Sequence, residues 1–101
     1  MKIIVYKLTS CGFCKKLLEA LGGEGMEHEV RSVSDPDNTE DCNKMDALFG
    51  TARYPKVVIK KDNDTIFVVP NDATKLPDVP NIKIHHYSTP QDVINVIKQI
   101  S

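Results

Sequence analysis

Lys2-Ile3-Ile4-Val5-Tyr6-Lys7-Leu8-Thr9-Ser10-Cys11-Gly12-Phe13-Cys14 carries three signals in succession. Residues 2 to 8 are rich in β-branched and aromatic types and read as a strand. That run leads directly into Thr9-Ser10-Cys11-Gly12, which reads as a helix start. Beyond it Phe13, Leu17, Leu18 and Leu21 recur at helical spacing, which places them on one apolar stripe while Lys15, Lys16 and Glu19 face outward. Gly22-Gly23 is expected to stop this helix. A strand therefore runs directly into a helix, and two cysteines three positions apart sit at the junction.

Working outward, residues 27 to 33 form a weaker strand pattern, because Val30 and Val33 do not share a face in strict alternation. Asp35-Pro36-Asp37-Asn38-Thr39 is a turn rich in capping types, and Glu40 and Asp41 suit the positive end of a helix dipole. The helix that follows presents Cys42, Met45, Leu48 and Phe49 on its apolar face, with Gly50 as its stop. After Tyr54-Pro55, the runs 56–60 and 65–69 are joined by Lys61-Asp62-Asn63-Asp64 and read as an antiparallel hairpin. Residues 70–87, with Pro70, Pro77 and Pro80, read as an irregular insertion, with a short strand at Ile82-Lys83-Ile84 as the one candidate element. Ser88-Thr89-Pro90-Gln91-Asp92 opens the last helix, either as a Ser88–Gln91 capping box or with Thr89 as cap one residue later. Val93, Ile94, Val96, Ile97 and Ile100 give that helix a buried face. The order β-α-β-α-β-β-α combines a parallel crossover with a closing hairpin. It predicts an α/β fold with a mixed four-stranded sheet and helices on both faces.

Composition bounds the function. With 101 residues, folding removes roughly 60 to 65% of the unfolded chain's surface from water. One domain over 1–101 is expected, with its site on the surface of a single scaffold. Thirteen Lys and Arg against fourteen Asp and Glu give a net charge of −1, with no basic block to track a phosphate backbone. Nucleic acid is not an expected partner. The apolar runs at 3–6 and 66–69 fall far short of the roughly 20 residues of a membrane span or the ~7 to 15 of a secretory signal. A soluble, cytoplasmic, monomeric protein is the expectation. Three cysteines, of which only Cys11 and Cys14 are close in sequence, do not make a disulfide framework. A C-x-x-C beside a βα pattern in a reducing compartment reads instead as redox chemistry.

The reason lies in thiolate chemistry. The anion is the nucleophile, and a helix's first turn favours it through unpaired backbone N–H groups and the positive dipole end. Lys15 and Lys16 raise the local potential further, so Cys11 is expected to have a depressed pKa and to attack. Cys14, one turn below and less exposed, is placed to resolve a mixed disulfide at Cys11. Gly12 and Phe13 put neither charge nor branching beside the nucleophile and border the path of the substrate. A zinc site would need more ligands than Cys42 and the adjacent His85 and His86 provide, so no metal is expected.

At Cys11-Gly12-Phe13-Cys14 after the strand at 2–8, and at Tyr54-Pro55 before the hairpin, the chain resembles the glutaredoxin branch of the thioredoxin superfamily. The likeness covers most of residues 1–69 and returns at the last helix. It implies a thioredoxin-like fold and a cis peptide at Tyr54-Pro55, whose backbone pairs with an incoming peptide or glutathione as an added strand. It implies a thiol-disulfide oxidoreductase that reduces protein disulfides or glutathione mixed disulfides, with no tightly bound cofactor. Glutathione as cosubstrate, or a thioredoxin reductase, would supply electrons, and the couple would fall between about −270 and −200 mV.

The chain also departs from that family. Glutaredoxins usually follow the hairpin with a Gly-Gly turn and an acidic helix start that hold glutathione, and residues 70–92 contain no glycine. Ser88, Thr89 and Asp92 either replace part of that clamp or simply cap the helix. Leu8 stands where a basic residue is usual, with Lys7 displaced into the strand. Gly12-Phe13 resembles the C-G-F-S signature of monothiol members that share a [2Fe-2S] cluster through glutathione, but Cys14 replaces the serine. The alternatives are thus a glutathione-assisted cluster carrier and a non-catalytic binding module. Cys42 is expected to be a small buried hydrophobe, His85 and His86 surface residues, and Tyr6 either core or groove lining.

Overall fold

The computed structural model describes residues 1–74 and 80–100; Pro77, within the expected insertion, lies outside them. The elements are β1 (Lys2–Lys7), α1 (Gly12–Gly23), β2 (Glu29–Ser32), a 3-10 turn (Pro36–Asn38), α2 (Thr39–Phe49), β3 (Lys56–Lys61), β4 (Asp64–Pro70), β5 (Ile82–Tyr87) and α3 (Pro90–Ile100). The strands form one sheet in the order β2-β1-β3-β4-β5. β1 pairs in parallel with β2 and antiparallel with β3, and this interior strand is buried on both faces from Ile3 to Tyr6. Its alternate residues serve two cores. Ile3 and Val5 join Leu17 and Leu21 of α1 and Val93, Ile94 and Ile97 of α3 on one face. Ile4 and Tyr6 join Cys42, Met45 and Phe49 of α2 on the other. This is the thioredoxin-like arrangement, with helices on both faces.

Three expectations need correction. Among the described residues the sheet has five strands, not four: part of the 70–87 stretch is the regular edge strand β5, parallel to β4 with Phe67 opposite Ile84 and Pro70 opposite Tyr87. As an edge strand with only Tyr87 fully buried, it lacks the clean alternation that marks a half-buried strand. Second, α1 runs through Gly22 and Gly23 and is capped at Glu24, and the left-handed φ of 67° falls on Gly25. Third, the hairpin connection is tighter than the four residues expected, since β3 extends to Lys61 and β4 begins at Asp64. Asp62 takes the left-handed conformation there, with φ 55°. Gly50 does cap α2 in the left-handed region, at φ 67°.

Candidate active site

The end of β1 delivers the chain to Cys11, which is the N-cap of α1 with extended backbone, φ −130° and ψ 106°. A Ser, Thr or Asp normally fills this position because its side chain accepts a hydrogen bond from an unpaired N–H of the first turn. Here the sulfur does so: the Cys14 N–H donates to Cys11 Sγ at 3.1 Å. Cys11 and Cys14 are joined as a disulfide with Cα atoms 5.2 Å apart. The two are unequally exposed, since Cys11 is half-buried while Cys14 is 1% exposed within the α2-side core. Gly12 lies on the surface, and a Cβ there would meet nothing within 4 Å, which leaves the approach to Cys11 open. Lys7, Leu8, Lys15 and Leu18 line a cleft that reaches both cysteines. Lys16 is exposed outside that cleft.

The Tyr54-Pro55 peptide is cis. The Tyr54 carbonyl faces the disulfide, with Cys11 Sγ 3.9 Å from Tyr54 O. Three side chains with little or no local signal in the sequence, Tyr87, Asp46 and Lys56, hold this segment. Tyr87, the last residue of β5, donates its hydroxyl to Pro55 O at 2.6 Å from the α1/α3 face, and its ring lies 4.9 Å from that of Phe13. Burial pushes the Tyr87 phenol above its usual range, so it remains a donor at neutral pH. Phe13 therefore packs against Tyr87 and borders a cleft with Arg53, Tyr54 and Ser88. From the α2 face, Tyr54 donates its hydroxyl to Asp46 Oδ1 at 2.7 Å, and burial together with that carboxylate raises its pKa strongly. Lys56, the residue after Pro55, is wholly buried beside it. The only signal for Lys56 was its place next to Pro55. Alternation groups it with exposed Lys60 as an outward-facing side chain.

The remaining candidates fall elsewhere. Tyr6 is core: its hydroxyl accepts from Arg31 at 2.8 Å, and burial raises its pKa. Cys42 is buried on α2 and burial pushes its thiol up. His85 and His86 lie on β5 and so project to opposite faces, His85 half-buried and His86 exposed. Thr89, not Ser88, caps α3. Thr89 Oγ1 accepts from the Asp92 N–H at 3.2 Å, and Asp92 Oδ2 accepts from the Ser88 and Thr89 N–H groups at 2.8 and 2.9 Å. These backbone donors hold the Asp92 carboxyl below the usual range. Among the described residues, no three His, Cys, Asp or Glu side chains are gathered as a metal site. Nor is any helix among them long and apolar enough to cross a membrane.

No curated protein matches the chain. A glutaredoxin, grx-1, from Archaeoglobus fulgidus is similar in structure, at 25% identity over 63% of this chain and 71% of that one, with a TM-score of 0.49. The glutaredoxin family model matches residues 3–63. Because that match spans more than half of the sequence, from β1 past the Tyr54-Pro55 turn to the end of β3, the chain belongs to the glutaredoxin family.

Proposed function

We propose that the chain is a dithiol oxidoreductase that reduces protein disulfides, with Cys11 as the attacking and Cys14 as the resolving thiol. The family supports thiol-disulfide exchange as the chemistry. The observation that carries the assignment of roles is the asymmetry of the pair: Cys11 is the accessible N-cap sulfur with the Cys14 N–H aimed at it, and Cys14 lies buried behind it. A thiolate at Cys11 gains from that N–H and from the helix dipole. It attacks a substrate sulfur, forming a mixed disulfide and expelling one substrate thiolate. Cys14 then attacks Cys11 Sγ, releasing the second substrate thiol and closing the Cys11–Cys14 disulfide. One disulfide is reduced for each dithiol oxidised. The Tyr54-Pro55 backbone beside Cys11 is the edge on which an extended substrate is positioned, and Gly12 and Phe13 border it.

Glutathione or a thioredoxin reductase returns the electrons, and cytoplasmic residence suits either. The start of α3 favours the reductase, because the Ser88 and Thr89 amides that an anionic glutathione carboxylate would seek are already satisfied by Asp92. The cluster-carrier alternative depends on glutathione as an external ligand and is weakened by the same occupied amides. The test is turnover of a small mixed disulfide with glutathione against insulin reduction with a thioredoxin reductase. Insulin reduction that disappears in Cys11→Ser is expected. A wild-type chain inactive in both assays would refute the proposal.

A further inference from the structure

Lys56 is 0% exposed, and an ammonium group taken out of water is strongly destabilising unless it is paired and hydrogen-bonded. Its Nζ donates to Asp46 Oδ1 of α2 at 2.5 Å and to Thr51 O at 2.8 Å, and lies 4.0 Å from the centre of the Tyr54 ring. Asp46 Oδ1 also receives the Tyr54 hydroxyl, so one carboxylate oxygen ties the residue before Pro55 to the residue after it. Thr51 extends the lattice along the same loop. Its hydroxyl donates to Asp72 at 3.2 Å and accepts the Arg53 N–H at 3.2 Å.

A fold alone does not call for this charge. An apolar side chain of similar length would fill the site without the desolvation cost, and such replacements of buried pairs are often neutral or stabilising. What the pair does hold is the Tyr54 side chain, whose own backbone carbonyl faces Cys11 Sγ at 3.9 Å. We infer that Lys56 is a positioning residue: with Asp46 it fixes the Tyr54-Pro55 edge beside Cys11 and thereby sets a preference for disulfides that present a peptide backbone over small disulfides that do not. The inference rests on the dithiol-exchange reading. Lys56 touches no reacting atom and acts through Tyr54.

The test compares two substrates on the reduced full chain: the symmetrical disulfide of a capped Gly-Cys-Gly peptide, which can pair along the edge, and hydroxyethyl disulfide, which cannot. Lys56→Met should lower the ratio of the peptide rate constant to the small-disulfide rate constant roughly tenfold, the scale of one lost backbone hydrogen bond and some ordering. A merely structural role would slow both substrates alike. Circular dichroism checks that the variant is folded. If it is not, the Lys56→Met/Asp46→Leu double variant, which removes both charges together, carries the same comparison. The ratio is expected to stay low there also. A ratio unchanged to within about twofold in the folded variant, or regained in the double variant, overturns the inference. A wild-type chain that reduces neither substrate overturns the dithiol reading itself, and the inference falls with it.

Discussion

Replacing Tyr87 by Phe removes one oxygen and leaves the ring that packs on Phe13 in place. The loss is confined to the hydroxyl, which donates to Pro55 O at 2.6 Å in the buried interior. A buried carbonyl left without its donor costs about 1 to 3 kcal/mol. A chain of this size unfolds with an entropy of roughly 0.2 kcal/mol/K near its midpoint, so Tm should fall by about 5 to 14 °C. Thermal unfolding followed by circular dichroism at neutral pH measures it. The alkaline limb adds a second check with its own sign. Burial raises the folded Tyr87 pKa above its ordinary 10.0, so the unfolded chain loses this proton first. The stability associated with the neutral phenol is therefore complete below about pH 10 and is lost as pH rises toward the folded value. Tyr87→Phe should flatten the decline above pH 10, although Tyr54, also raised, continues to contribute. A Tm within about 2 °C of wild type, with an unchanged alkaline slope, would show that Pro55 O has no need of Tyr87 and refute the reasoning.

Leu17, fully buried between α1 and the sheet, should lose about 2 to 5 kcal/mol on truncation to Ala, read from urea unfolding. Gly22 sits within α1 with open space around its missing Cβ; Gly22→Ala should stabilise the chain by about 0.4 to 1 kcal/mol, and any destabilisation in the same assay would contradict the helical assignment there. The Asp92 carboxyl is held below its ordinary 3.8 by the Ser88 and Thr89 amides. Its contribution is thus present above pH 4 and lost as pH falls through the folded value. Asp92→Asn should show a shallower acid decline than wild type in melts between about pH 5 and pH 2.

Legibility followed how locally each feature is encoded. β1, the Cys11–Cys14 junction and the α1 stripe were readable because strand propensity gives way to helical spacing within a few neighbouring residues, whereas the cap is the Cys11 sulfur, a role its residue type does not advertise. The α3 start was narrowed to two caps, and side-chain geometry alone decided for Thr89. β5 was missed beyond its first residues because an edge strand with little buried surface lacks a period-2 apolar pattern. Gly22-Gly23 failed as a stop because packing of Leu17 and Leu21 outweighs the roughly 1 kcal/mol propensity deficit of each glycine. The supports of the Tyr54-Pro55 edge were illegible for a different reason. Tyr87, Asp46 and Lys56 come from three elements, and only the folded topology brings them together.

The division of labour between the two thiols is tested most directly by trapping. Cys14→Ser and Cys11→Ser, each reduced and then exposed to the Gly-Cys-Gly peptide disulfide, are analysed by mass spectrometry. The account predicts rapid formation of a stable peptide adduct on Cys11 in Cys14→Ser and at most slow modification of Cys11→Ser. Equal or faster adduct formation at Cys14 would contradict the assignment of Cys11 as the attacking thiol.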